Sequence, residues 1–296
     1  MTDLSSATSP QKALPTDQAR KERRGYGFMV GSSLSFAVMG ALVKVASETL
    51  PFQEVTFFRA FGGLVFIGAW MLIRRLSFQA NDKGLLIWRG VMGWAALTAY
   101  FYAIAHMYLA DAVLLNYTSS FFTALLAAVF LGERLTTRTV LCLATALGGV
   151  ALVVGPKGGF WNLGALAGLG SALCAAFAYV AVKRATANNS PWAIVLYFSL
   201  VASVLTLPWL LRDYHAPSPN EWLLLVGLAA SATVAQLLMT YGYQLARAST
   251  ASVVTLSTPL FSAALAYACF QLVPTWGTWL GGALILGAGV VLATRP

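Results

Sequence analysis

The chain has 296 residues, 58% of them hydrophobic and only 10% charged, with a formal net charge of +9. A soluble domain carries about 25% charged residues, so this much apolar surface excludes a single globule and points to a polytopic membrane protein. The positive balance then belongs to loops that orient the chain in the bilayer, and no nucleic-acid partner is expected.

Residues 1–24 read as a disordered, basic cytoplasmic tail ending in Arg20-Lys21-Glu22-Arg23-Arg24. A basic cluster before an apolar run resembles a signal peptide, but the run is long enough to span and shows no small-residue cleavage site before a soluble domain. A helix needs about 20 apolar residues to cross a bilayer. Ten segments meet or approach that length: 25–46, 52–73, 85–105, 110–131, 137–154, 163–182, 192–211, 221–243, 249–270 and 275–293. Pro51, Asn81-Asp82-Lys83-Gly84, Gly155-Pro156-Lys157-Gly158-Gly159, Asn188-Asn189-Ser190-Pro191 and Ala216-Pro217-Ser218-Pro219 supply the breaks. A β-barrel would alternate in strands of about ten residues, which these continuous runs do not. The expected fold is an all-α integral membrane protein of ten transmembrane helices. Cys142, Cys174 and Cys269 lie inside apolar runs and read as packing residues.

The chain repeats itself at a constant offset of 139 residues. Gly31-Ser32-Ser33-Leu34 returns as Gly170-Ser171-Ala172-Leu173, and Val43-Lys44-Val45-Ala46 as Val182-Lys183-Arg184-Ala185. Tyr102-Ala103 returns as Tyr241-Gly242, while Ala112 and Phe122 match Ala251 and Phe261. The units are 25–154 and 163–293, five helices each. An odd number of crossings makes the two units antiparallel, the inverted repeat from which many transporters obtain two alternating states.

Orientation follows from Lys and Arg. With the N-terminus inside, Lys12, Arg20, Lys21, Arg23, Arg24, Arg74, Arg75, Lys83, Arg89, Arg134, Arg138, Lys183, Arg184, Arg247 and Arg295 are cytoplasmic. Only Lys157 and Arg212 fall outside, so both termini are expected in the cytoplasm.

Charged groups within the membrane each need a reason. Arg59 sits about 5 Å from the middle of the second segment at the helical rise. Lys44 and Glu54 lie nearer the interface. They form either a structural ion pair with Arg59 or an electropositive cavity wall that receives a carboxylate or phosphate. Glu54 is the candidate for proton coupling. Polar and aromatic side chains recur at Trp94, Tyr100, Tyr102, Asn116, Tyr117, Ser119, Tyr179, Gln236, Tyr241, Tyr243, Ser257 and Thr258. Asn116, Ser119 and Thr123 share a helical face, which serves either helix packing or a site. A central cavity from both halves would bring Asn116 to Ser257-Thr258. Pro259 permits a kink at a gate, and its counterpart Ser120 breaks the symmetry there. His106 and Asp111 mimic an acyltransferase pair but have no domain to hold a thioester. No phosphate-binding loop, zinc spacing or Ser-His-Asp arrangement is visible, so no cofactor, metal site or enzymatic activity is expected.

The chain resembles the drug/metabolite transporter superfamily in its ten-helix EamA-type branch. The duplicated halves carry the resemblance, with Phe58-Arg59, Tyr102-Ala103 before Ala110-Asp111-Ala112, and Asn116-Tyr117-Thr118-Ser119 before Leu131-Gly132-Glu133. In the second half, Ala248 to Ala251 and Ser257-Thr258-Pro259-Leu260-Phe261 fit. Phe270-Gln271-Leu272 departs from the Leu-Gly-Glu that the family often repeats, which puts a symmetric glutamate gate in doubt. The resemblance implies a cavity between the halves, lined mainly by helices one to four and six to nine, with five and ten peripheral and open to a homodimer contact. It implies a bacterial inner-membrane transporter of amino acids, cofactors, vitamins or drugs.

The first segment has no carboxylate, which argues against export of lipophilic cations. Lys44 and Arg59 favour a substrate bearing a carboxylate, and the aromatics suit an amphipathic body. The expected function is export of a small zwitterionic or anionic metabolite, such as an amino acid or an opine-type metal chelator. Uptake of an adenosyl-amino acid or vitamin, and a non-transporting membrane role, are the alternatives.

Overall fold

The computed structural model describes residues 15–107, 109–155, 163–212, 214–271, 273 and 275–294. The expected tail over residues 1–14 and the linker through Lys157 lie outside the described residues. Twelve helical segments run through the described part: α1 (Pro15–Ala46), α2 (Phe52–Ile73), α3 (Lys83–His106), α4 (Leu109–Tyr117), α5 (Ser119–Leu131), α6 (Thr137–Val154), α7 (Leu163–Ala185), α8 (Pro191–Arg212), α9 (Pro219–Leu245), α10 (Ala248–Thr255), α11 (Thr258–Phe270) and α12 (Trp276–Thr294).

Eight helical stretches among the described residues are long and apolar enough to cross a membrane, and Trp276–Leu292 is a shorter apolar helix. The fourth and ninth predicted segments are each a broken rod, α4 with α5 and α10 with α11. Segment three, α3, falls short of the others in apolarity because Arg89, Trp88, Trp94, Tyr100 and Tyr102 dilute it.

Residues 15–24 correct one expectation: they extend α1 and do not form a disordered tail. Pro15 stands in the first turn, where its missing N–H costs nothing. Asp17 and Lys21 lie four apart, and Gln18, Ala19, Arg20 and Glu22 are strong helix formers. The other boundaries follow the breaks. Asp82 caps α3 by accepting from Leu85 N at 3.1 Å, and Thr136 caps α6 by accepting from Thr139 N at 3.2 Å. Ser218 and Glu221 form a capping box at the start of α9. Gly132 and Gly155 end α5 and α6 in the left-handed region, at φ 67° and 62°.

The duplication persists to the residue. Adding 139 to the bounds of α2 gives those of α8, and adding it to α5 gives those of α11. Gln271 (φ 55°) ends α11 at the position matching Gly132, so the backbone turn survives where the glycine does not. Packing obeys the same exchange: α1 lies on α9 as α7 lies on α3, and α2 on α8 and α6 on α12 are self-paired. Gly62 faces Ala229 at 2.5 Å from its notional Cβ, and Gly90, which matches Ala229, faces Val201, which matches Gly62, at 2.7 Å. Small residues here let helices from opposite halves touch at backbone distance.

The α6–α12 seam is the tightest of these. A Cβ on Gly149 would stand 2.6 Å from the Gly281 carbonyl oxygen, and one on Gly281 would collide with that of Gly149. Backbone cannot retreat as a side chain can. Gly149→Val should therefore lower stability by about 2 kcal/mol through overpacking, read as a lower melting temperature in detergent. Gly148→Ala, with nothing within 4 Å of the added methyl, should leave it unchanged.

Candidate functional site

The four helices α2, α3, α8 and α9 meet around a narrow, partly open cleft, about 400 Å³ with the open solvent at its mouth included. Its wall obeys the repeat. Thr56, Arg59, Ala60 and Gly63 of α2 oppose their counterparts Val195, Phe198, Ser199 and Ala202 of α8. Trp94 and Leu97 of α3 oppose Thr233 and Gln236 of α9. The pocket therefore lies on the axis relating the halves, where helices from both converge.

Arg59 is half-buried in this wall, and no ion pair or hydrogen bond to its guanidinium occurs among the described residues. The first expectation offered it Glu54 as partner. Glu54 is instead fully buried, and its Oε1 accepts from the backbone N–H of His215, whose ring Nδ1 stands 3.6 Å away. The chain before α9 folds over the start of α2 and takes the carboxylate first.

Arg89 overturns a second expectation. Counted as a cytoplasmic loop charge, it is only 2% exposed. Its Nη2 donates to Gln236 Oε1 at 2.8 Å, and its Cζ lies 3.6 Å from the Phe198 ring centroid. The α3 helix starts at Lys83, so Arg89 is already nearly two turns in, beneath the pocket. Its position after Trp88 in a lysine-led helix start hid this. Its bond to Gln236 and its place over Phe198 join the first half to the second.

The structure scatters most of the other predicted residues. Arg59, Trp94 and Gln236 line the pocket together. Tyr179 stands within electrostatic reach of Arg59 and Arg89 and stacks on Tyr243 at 5.8 Å. Lys44 is exposed at the end of α1. Tyr102 is exposed and stacks on His106 at 3.9 Å. Tyr100 lies 6.0 Å from Phe101, and Tyr241 stacks on Phe28 at 5.5 Å. Tyr117 packs against the α6–α12 cluster around Ala146 and Ile285. Asn116 donates to Ser171 Oγ at 3.0 Å, which in turn donates to the Ala96 carbonyl at 2.8 Å. The carbonyl of Ser119 accepts from Thr123, while Ser257 and Thr258 donate to Val254 and Thr255 carbonyls in their own rod. These hydroxyls serve the helix breaks, and Asn116 does not meet Ser257-Thr258 in the pocket wall. Thr56, Phe198, Ser199, Thr206 and Thr233 were missed, although the repeat would have pointed from Arg59 to Phe198.

Pro259 sits in the first turn of α11, after the break at Leu256-Ser257. The symmetry expected to fail there holds: the first half breaks at Thr118 without a proline. Side-chain hydroxyls of Thr118 and Ser257 take local carbonyls and make both breaks tolerable in an apolar setting.

The symmetry fails elsewhere. The rod α5 packs on α10, yet α4 and α11, their counterparts, make no comparable contact among the described residues. Glu133 ties α5 to α10 at this contact. Its Oε1 accepts from Ala248 N at 2.7 Å, and its Oε2 from Ser249 N at 3.0 Å and Ser249 Oγ at 2.6 Å. Ser252 Oγ also donates to the Ser120 carbonyl at 3.2 Å. A carboxylate at the start of α10 satisfies orphan amides and the helix dipole together.

The EamA-like transporter family matches residues 23–155 and again 162–295. The chain belongs to that family. It is 35% identical over 275 residues to the pseudopaline exporter CntI of Pseudomonas aeruginosa, covering 92% of this chain and 96% of that protein. An uncharacterized transporter of Archaeoglobus fulgidus is 30% identical over 279 residues, covering 92% and 97%. Human solute carrier family 35 member G1 is 26% identical over 286 residues, covering 90% and 78%. A solved crystal structure superposes at a TM-score of 0.79 with 22% identity, over 93% of this chain and 99% of the other, which speaks for the fold. This EamA protein is a multi-pass membrane transporter of a small molecule, and not an enzyme.

Glu133→Ala removes the acceptor for two α10 amides. It should destabilise that helix start by about 1 kcal/mol, seen as faster hydrogen exchange at Ala248 and Ser249 than in the parent.

Proposed function

We propose that this EamA protein exports a small zwitterionic or anionic metabolite across the bacterial inner membrane, in the class of amino-acid-derived opine-type metallophores. The observation that carries this is Arg59: a guanidinium facing an apolar pocket on the repeat axis, without an ion pair among the described residues. A guanidinium keeps its charge and offers a planar fork that matches a carboxylate. Trp94 and Phe198 beside it suit an organic body. The likeness to an exporter named for pseudopaline supports the direction and the class.

In this reading the ten predicted spans count α4–α5 and α10–α11 as one each. Both termini and the Glu133 end face the cytoplasm, in keeping with the Lys/Arg bias. In this reading the Glu133–α10 cap closes the cytoplasmic side, and the bundle opens outward. Loading from the cytoplasm releases the cap and draws α4 onto α11. Exposed apolar side chains of α6 and α12, such as Leu141, Trp279 and Leu286, meet lipid or a second copy. Glu54, tied to His215, is the coupling candidate.

Metabolite profiling of a deletion strain and an overproducer tests the direction. The exported compound should accumulate inside the first and outside the second, and the reverse distribution would make this an importer. In vesicles, Arg59→Ala should cut transport of that compound by at least about tenfold, the loss of one charge-assisted contact, at unchanged protein level. Unaltered flux would remove Arg59 from the site.

A further inference from the structure

Arg59 is one of two cations at this pocket. Arg89 stands directly behind the wall, against Gln236 and Phe198, both of which line it. A guanidinium carries five N–H donors. Arg89 spends Nη2 on a neutral amide, while its buried Nε and Nη1 have no hydrogen-bond partner. Glu54 pairs with His215 and Glu133 with Arg247, and neither pair reaches Arg89 or Arg59. The two guanidiniums lie within electrostatic reach of each other. A buried cation is costly unless it is paired, and here two share one low-dielectric cavity with no carboxylate in its wall.

A structural role alone explains this poorly. An arginine kept for packing would be given a carboxylate or several carbonyls, as Glu133 is given three donors. Gln236 instead supplies one acceptor that a ligand can replace without leaving a charge behind. Gln236 also corresponds to Leu97 in the repeat, and Arg89 to Leu228, so the matching site of the other half holds together on apolar contact alone.

We propose that the pocket selects solutes bearing two anionic groups: one binds Arg59, and the second displaces Gln236 as the acceptor for Arg89. Arg89 is thus a specificity-determining residue. The inference deepens the anionic-metabolite reading and rests on it. Within the opine-type class it assigns the second carboxylate of the solute to Arg89 and makes that group a requirement for tight binding. Because Arg89 and Gln236 belong to different halves, such a solute also loosens a bond between the halves as it binds.

The test uses the full-length purified protein and two probes of matched shape. One is 2,2′-iminodipropionate, with two carboxylates flanking an amine. The other is N-isopropylalanine, in which a methyl replaces one carboxylate. Titration calorimetry should show the diacid binding about tenfold more tightly, as one added charge-assisted contact gives. Gln236→Glu supplies Arg89 with a carboxylate of nearly the same shape and should erase that preference. Arg89→Gln should do the same by removing the charge, so the conclusion survives if one variant misfolds. Equal affinity of the parent for both probes overturns this inference and leaves the anionic-substrate reading standing. Failure of the parent to bind either probe overturns both. A preference that persists in both variants removes Arg89 from the role.

Discussion

A bare guanidinium inside an apolar bundle is the constraint on which the rest of this molecule turns. Burying Arg89 without a carboxylate is tolerable only because an amide from the other half and an aromatic face share its charge. That arrangement fixes how α3, α8 and α9 must meet. It also fixes why the contacts around it are so small: Gly93, one turn along α3, stands with its notional Cβ 2.9 Å from the Phe198 ring and 3.4 Å from Arg89 Nη1. A larger residue there would push ring and guanidinium apart. Gly93 thus leaves the room in which ring and guanidinium meet.

Duplication gives the fold two equivalent ways to close, and single residues decide between them. The breaks in α4–α5 and α10–α11 recur at matched positions, but only one end has a carboxylate to lock onto a helix start. Glu133 fills that role, and the residue 139 positions later is Leu272. Arg59 and Phe198 show the same logic within the pocket. They are images of each other, one a cation and the other a ring, so the cavity offers a solute a charged wall and a flat one in place of two like surfaces.

Much of the architecture was legible because it depends on apolar length and on repetition, both of which are local or additive in sequence. Arg59, Trp94 and Gln236 were legible as polar groups where lipid forbids them. Arg89 was not, because Lys83 and Trp88 around it look like a membrane boundary, and only its contacts with Gln236 and Phe198 reveal its depth. The hydroxyls of Ser257 and Thr258 misled for the opposite reason. Polar residues in an apolar rod have two uses, and here they serve the backbone at a break. Tail residues 15–24 misled through composition: charge pattern, four apart, outweighed polarity and extended the helix.

The glycine seam between α6 and α12 lets the outermost helices of the two halves touch backbone to backbone, with no side chain between them to bend. Such a join resists sliding, because a shift along it drives the carbonyl of one helix into the Cα of the other. In the proposed transport cycle it is the contact the halves would keep, while α2, α3, α8 and α9 around the pocket would be the helices to part.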